Sequence, residues 1–223
     1  MSVTPSNEDY LKAIYSFSEE LGKSEAGTGD IAEALGISHP AVSKMLKQLE
    51  KQSLVQHTPY HGVHLTKSGR RAALKTIRRH RLLELYLVKA LGYSIESVHA
   101  EAEQLEHHIS DKFEQCIDEV LGKPQYCPHG SPIPSVEGRI APLLGVPLSD
   151  VEPPADLAIA RLRISDSKLL EYLEQSGLLP GIHIKLVERP RFGGDLQINI
   201  KGRRLAFSLQ AAKGVFVTRR GEI

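Results

Sequence analysis

Thr28-Gly-Asp-Ile-Ala-Glu-Ala-Leu-Gly-Ile-Ser-His-Pro-Ala-Val-Ser-Lys-Met-Leu-Lys-Gln-Leu-Glu50 is the stretch that decides the fold. Ile31, Ala32 and Leu35 face inward from a short helix that Gly36 closes. Ser38 starts a second helix as N-cap, with Pro40 in its tolerant first turn. Val42, Met45, Leu46 and Leu49 form the buried face of that helix, and Pro40, Ser43, Lys44 and Lys47 project from the opposite side. β-Forming residues from Leu54 to Thr66 surround Thr58-Pro-Tyr-His-Gly62, a hairpin signal. Helix, glycine-containing turn, capped helix and hairpin follow in the order of a winged helix–turn–helix. An ordinary helical pair with a solvated basic face is the plainer alternative.

In the winged reading, Ser38, Pro40, Ser43, Lys44 and Lys47 enter a major groove of double-stranded DNA. Lys44 reaches a guanine edge or a phosphate, and Ser38 and Ser43 hold phosphate oxygens. His57, His61 and His64 of the hairpin lie along the backbone or minor groove, and Thr66, Lys67 and Arg70 add phosphate contacts. Such modules bind as dimers on near-palindromes, with half-sites about 34 Å apart.

Upstream, Tyr10, Ile14, Phe17 and Leu21 recur at helical spacing, which predicts a first helix from Ser6 to Glu20. Downstream, one long helix is expected from Ser68 to Leu91, broken at Gly92, and another from Ile95 to Leu121. Residues 122–154 carry eight of the thirteen prolines and read as an irregular connector. Strand-like runs at 157–164, 182–187, 196–200, 205–209 and 215–218, with a short helix at 168–174, suggest a small β-barrel.

With 223 residues the chain can hold two or three small domains. It has no apolar run near the roughly 18–20 residues of a membrane span, no signal-peptide core at its N-terminus, and two cysteines that make no disulfide framework. A cytoplasmic protein without a membrane partner is expected. The net charge of +1 hides a segregation. From His39 to Arg81 there are ten lysines and arginines against Glu50 alone, and from Leu82 to Val120 nine acids against Lys89 and Lys112. That pattern fits a polyanion-binding region joined to a cation-binding one, or simply two solvated faces.

Within the acidic region, His99, Glu103, Glu106 and His107 fall within about 100° of one helix face. Neighbouring carboxylates on one arc repel unless a cation lies between them. Glu103, Glu106 and His107 have the spacing to reach one ion. His80 and Glu84 stand one helical turn apart, and with His99 can converge on another if the two helices pack antiparallel. Asp9 can add a carboxylate to the Glu103 site, or it can close a capping box begun at Ser6.

Several segments together resemble the diphtheria toxin repressor family of metal-activated transcription repressors, above all its manganese-sensing branch. They are Glu8-Asp-Tyr-Leu-Lys-Ala-Ile-Tyr15, Ile31-Ala-Glu-Ala-Leu35 with Pro40-Ala-Val-Ser-Lys44, Arg79-His-Arg-Leu-Leu-Glu84, His99 to Ser110, and Cys127-Pro-His-Gly-Ser-Pro-Ile-Pro134. The resemblance implies a principal regulatory site of Asp9, Glu103, Glu106 and His107, and a second site of His80, Glu84 and His99. It further implies that Cys127 and His129, with Asp166 from an SH3-like domain, bind metal; Asp166 can equally cap the helix after it. Iron-sensing members carry methionine and cysteine at the positions of Asp9 and Glu103. Short two-domain manganese sensors carry glutamate at the position of Lys12, so two separated sites fit this chain better than a tight two-ion cluster.

The resulting expectation is an α+β chain in four parts. These are a winged helix–turn–helix at 1–70, a helical metal-binding and dimerisation domain at 71–140, a proline-rich linker at 141–154 and a small SH3-like β-barrel at 155–223. Its function would be that of a homodimeric repressor activated by Mn²⁺, with Fe²⁺ the alternative, controlling metal-uptake genes. Three carboxylates and one imidazole form a hard, oxygen-rich set suited to Mn²⁺. An enzyme is not expected: a metallohydrolase needs an open coordination position and a base, and no His-Glu-x-x-His motif is present. A winged-helix sensor of a small organic ligand is a further alternative.

Overall fold

The structure, a computed structural model, describes residues 4–20, 22, 25–58, 62–190 and 194–219. Leu21 and His61, both used in the sequence reading, lie outside them. The chain divides into two compact units. One holds the described residues up to His80 with Glu103–Glu114 and Pro134–Ile140, and the other holds Arg81–Ala102, Gln115–Ile133 and the described residues from Ala141 onward.

The first unit opens with α1 (Pro5–Tyr15), capped by Thr4, whose side chain accepts from the Asn7 amide, with Pro5 at the first helical position. Thr4, rather than a box from Ser6 to Asp9, therefore serves the helix start, and Asp9 is left free for other work. The helix continues as a π-helical stretch, Ser16–Glu20, not as the uninterrupted α-helix expected. Next come α2 (Thr28–Leu35), ended by Gly36 at φ +64°, and α3 (His39–Lys51), where the Ser38 side chain accepts from the Ala41 amide. Strands β1 (Val55–Thr58) and β2 (Gly62–Leu65) pair antiparallel as the wing, and Ala26 bridges to Val63. Leu11, Ile14, Ile31, Val42, Leu46, Leu49 and Val63, all fully buried, form the core under these elements.

Helix α4 (Lys67–Leu91) runs through both units. Its first turn abuts the wing: the Thr66 hydroxyl accepts from the Gly69 amide and donates to Ser53 O, and a Cβ on Gly69 would stand 1.9 Å from Leu54 O. The helix expected from Ile95 to Leu121 is instead two. Between α5 (Val98–Leu105) and α6 (Asp111–Val120) the chain turns, and the Ser110 hydroxyl accepts from the Phe113 amide as the cap of α6. Ser110-Asp111 is a start signal that the helical periodicity masks.

In the second unit, β3 (Val146–Pro147), β4 (Ala155–Leu162), β5 (His183–Glu188), β6 (Leu196–Ile200), β7 (Arg203–Phe207) and β8 (Val215–Arg219) form one antiparallel sheet, ordered β3-β8-β4-β5-β6-β7. Leu196, Ile198 and Ile200 alternate inward along β6 and meet Leu157, Ile159, Leu186 and Val217, with Leu170 and Leu173 of α7 (Ser167–Ser176) closing the core. A short helix, α8 (Leu209–Ala212), precedes β8 and takes the end of what was expected as a strand at 205–209.

The sheet is SH3-like but does not close into the expected barrel. Among the described residues no ladder joins β3 to β7. β3 is two residues long and half proline, which cannot donate to a further strand, and β7 leaves its outer edge unpaired with Arg203 and Arg204 exposed. No described helix is long and apolar enough to cross a membrane.

Candidate metal centre

On α1, Glu8 and Asp9 stand at i, i+4 and i, i+3 spacing before Lys12, so each neighbours the lysine along the helix. They meet the segment that leaves α5. The ring of His107 stands between two carboxylates, with Nδ1 2.6 Å from Glu8 Oε2 and Nε2 2.8 Å from Asp9 Oδ1. Glu106 is fully buried, and both of its oxygens face cations or potential cations: Oε1 is 2.6 Å from Lys12 Nζ and Oε2 is 2.5 Å from His80 Nδ1. Lys12 Nζ also lies 2.8 Å from Glu103 Oε2, itself 3.6 Å from His80 Nδ1. The repulsion that the sequence predicts for this acidic arc is thus answered by a cation from the chain itself.

The electrostatics follow from this crowding. Burial pushes the Asp9 carboxyl above its usual value, Glu103 and Glu106 add to the rise, and His107 and Lys12 oppose it. Burial works to lower the Lys12 ammonium, but the charges of Glu106 and Glu103 and their hydrogen bonds outweigh it and hold it above its ordinary value. Asp9 Oδ1 is buried without an aligned hydrogen bond among the described residues.

Asp9, Glu106 and His107 each present a ligand atom within 4.8 Å of the others. Two carboxylates and an imidazole converging at this distance fit a divalent cation of the hard or borderline class. Glu103 stands beside this group, joined to it through Lys12.

A second group lies in the other unit. Glu84, Cys127 and His129 also present ligand atoms within 4.8 Å of one another. His129 Nδ1 is 3.4 Å from Glu84 Oε2, its Nε2 is 3.2 Å from Ile95 O, and His99 Nδ1 is 3.3 Å from Glu84 Oε1. The Cys127-Pro-His-Gly130 loop is seated tightly: Leu162 N–H donates to His129 O, and at Gly130 (φ +81°) a Cβ would stand 2.1 Å from Ala160 O. Burial disfavours the His129 imidazolium, yet the hydrogen bonds to Cys127 and Glu84 and their charges prevail and push its pKa up to about 10.

Of the residues singled out from sequence, Asp9, Glu106 and His107 come together, as do Glu84, Cys127 and His129. His80 turns to Glu106 and His99 to Glu84. Asp166 is engaged as the N-cap of α7, accepting from the Lys168 and Leu169 amides. Glu8 escaped the sequence reading. The signal available for it was a further carboxylate directly before Asp9, since a ligand histidine commonly gives its second ring nitrogen to a carboxylate, a carbonyl or water.

On α3, Ser38, Pro40, Ser43, Lys44 and Lys47 are all exposed, on the face opposite Val42, Leu46 and Leu49. The basic run does not continue as one surface. Arg78 and Arg79 are buried and converge on Glu114 at 2.9 and 3.1 Å, with Arg79 also 2.6 Å from Asp111. The buried Arg81 donates to Pro132 O at 2.6 Å. Breaking a buried ion pair costs about 3–5 kcal/mol, so Arg78 and Arg79 with Glu114 hold the fold. His64 pairs with Glu25 at 3.0 Å.

Three family models cover nearly the whole chain. They describe the iron dependent repressor N-terminal DNA binding domain (residues 2–63), the iron dependent repressor metal binding and dimerisation domain (66–135) and the FeoA domain (146–219). The iron-dependent repressor IdeR of Mycobacterium tuberculosis is 32% identical over 207 residues, 87% of this chain and 88% of that protein. The chain belongs to the diphtheria toxin repressor family. Within it, the chain is also 38% identical to the transcriptional regulator MntR of Bacillus subtilis over 107 residues, 48% of this chain and 73% of that one. A solved manganese-dependent transcriptional repressor in complex with manganese superposes with a TM-score of 0.88 at 36% identity, covering 96% of this chain and 99% of the other. The manganese regulator SloR gives a TM-score of 0.77 at 34% identity over 99% and 100% of the two chains. The protein is accordingly a metal-dependent transcriptional repressor with a DNA-binding domain, and not an enzyme.

Proposed function

We propose that this family member is a homodimeric repressor activated by Mn²⁺, in which Asp9, Glu103, Glu106 and His107 form the regulatory site and the exposed face of α3 reads a near-palindromic operator. The observation that carries the reading is the group made by Asp9, Glu106 and His107, whose ligand atoms converge within 4.8 Å of one another. Two carboxylates and one imidazole, with Glu103 2.8 Å from the lysine that joins it to Glu106, are oxygen-rich. Such a set favours Mn²⁺ over ions that prefer thiolate.

The ion supplies a positive charge to which several carboxylates can bind at once. Asp9 belongs to α1, which packs under α2 and α3 through Leu11 and Ile14. Glu106 and His107 belong to the turn after α5. Holding Asp9 to Glu106 and His107 therefore holds α1 and the winged module in one arrangement. Residues Ser38, Pro40, Ser43, Lys44 and Lys47 are then presented at a fixed spacing in the dimer, so DNA affinity and metal affinity rise together. Protons oppose both, because His107 and the carboxylates bind metal only when deprotonated. Glu84, Cys127 and His129, with His99 Nδ1 3.3 Å from Glu84 Oε1, are the second candidate ligand set. The regulated genes would be those for metal uptake, and the protein would act in the cytoplasm, where such genes are read.

Fe²⁺ is the second reading, favoured by the 32% identity to an iron-dependent repressor. One experiment separates the two. Duplexes selected from a random-sequence pool are bound by wild type and Glu103→Cys under anaerobic Mn²⁺ or Fe²⁺. Wild type should respond to Mn²⁺ at lower concentration than to Fe²⁺, and Glu103→Cys should shift the preference toward Fe²⁺. A wild type indifferent to added or chelated metal would sink the mechanism, and one responding to Fe²⁺ alone would sink the choice of ion.

A further inference from the structure

Lys12 occupies the position in which the sequence calls for a cation. Its ammonium is 2.8 Å from Glu103 Oε2 and 2.6 Å from Glu106 Oε1. The Glu106 side chain has 0% exposure, and a buried carboxylate is held ionised only by a partner. We propose that Lys12 is the resident counter-cation of the Glu103–Glu106 pair, which a metal ion must displace, so that this lysine sets the metal concentration at which the protein responds. The inference rests on the reading of Asp9, Glu106 and His107 as the regulatory site.

The competition is for a particular atom. Glu106 Oε1, bonded to Lys12, is also 3.5 Å from His107 Nε2, and His107 Nε2 is 2.8 Å from Asp9 Oδ1. An ion held by Asp9, Glu106 and His107 therefore draws on the carboxylate that the ammonium neutralises. Two cations sharing one carboxylate oxygen in a buried setting repel strongly. The lysine has a way out: its side chain keeps 20% of its surface exposed, and its flexible four-carbon stem can carry the ammonium into water. Metal uptake is then a cation exchange. The metal-free site is not sprung apart by its own charges but closed over an internal cation, and the measured metal affinity is the ion's own affinity less the work of removing Lys12.

Full-length wild type, Lys12→Gln and Lys12→Arg are titrated with MnCl₂ by calorimetry and melted without metal, and the ion whose heat disappears in Asp9→Asn is the one followed. Lys12→Gln should bind that ion roughly tenfold more tightly, a usual size for coupled equilibria. Its metal-free melting temperature should fall by about 3 °C or more. Lys12→Arg, which keeps the charge, should stay near wild type in both. An affinity in Lys12→Gln equal to or weaker than that of wild type overturns the proposal while leaving the metal site standing. Equal behaviour of the Gln and Arg variants also overturns it, since shape rather than charge would then be responsible. If wild type takes up no Mn²⁺ that Asp9→Asn abolishes, the site reading fails and the proposal with it.

Discussion

Glu8 holds His107 from behind: Nδ1 of the imidazole lies 2.6 Å from Glu8 Oε2, and the other nitrogen faces Asp9 Oδ1 across 2.8 Å. A carboxylate on the second nitrogen fixes the tautomer of a ligand histidine and raises its basicity. Glu8→Gln should therefore weaken Mn²⁺ binding by about 10–100-fold without altering the metal-free fold. Calorimetry with circular dichroism of the metal-free protein checks this, and an unchanged affinity would remove Glu8 from the site.

Asp9 should cost the metal-free protein stability. Its carboxyl is pushed up chiefly by burial, so the folded state holds that proton more tightly than the unfolded chain does. As pH rises through the window from the usual carboxylate value to the raised one, stability from this group is lost; below the window the penalty is absent. Asp9→Asn should then melt at or above the wild-type temperature at neutral pH without metal, and lose the metal-dependent rise in both melting temperature and DNA affinity. A clearly lower metal-free melting temperature in the variant would contradict the account.

His129 gives the same sign in a higher pH window. Its pKa is pushed up to about 10, far above the ordinary 6.5, by Cys127 and Glu84 acting against burial. Stability from the imidazolium is fully present below about pH 6.5 and is lost as pH rises toward 10. Metal uptake by Glu84, Cys127 and His129 requires the neutral ring, so it should strengthen across that same window and release protons. Cobalt titrations followed by thiolate-to-metal absorption, at pH 6.5 and 8.5, test the direction; equal affinity at both would count against it.

Lys44 should act on DNA in a way that salt reveals. The side chain is exposed on α3, away from the core. If it meets a phosphate, Lys44→Ala weakens binding to all duplexes alike and lowers the slope of log affinity against log salt by about 1. If it reads a guanine, the loss is confined to sequences carrying that base, at about 1–3 kcal/mol. Salt-dependent binding to selected and scrambled duplexes separates these outcomes, and no loss on either would exclude Lys44 from the interface.

Local chemistry made much of the fold legible. The Ser38 cap, Pro40 and the Val42–Leu46–Leu49 stripe mark α3, which spans His39–Lys51 with those three side chains buried. Gly36 and Gly92 stand at φ +64° and +73° beside the helix ends where they were expected. The errors have one kind of cause. Periodicity ran past Ser110, whose hydroxyl caps a new helix. The strand pattern suggested closure, but alternation carries no information on whether the first and last strands meet. Arg78, Arg79 and Arg81 belong to the basic run by count but are buried, Arg78 and Arg79 against Glu114 and Arg81 against Pro132 O. A residue's charge does not say whether a partner waits for it in the interior.

By itself the sequence determined the elements, the outward basic face of α3 and the supply of ligand-bearing side chains, because helical and strand spacing and capping act over a few residues. Tertiary structure alone decided which of those side chains meet. It put Glu8 behind His107, tied Asp166 to its own helix, joined Glu84 to Cys127 and His129, and set Lys12 against Glu103 and Glu106. These pairs stand between 2 and 99 positions apart, and the longer separations are bridged by packing of whole helices, which no local rule of spacing encodes.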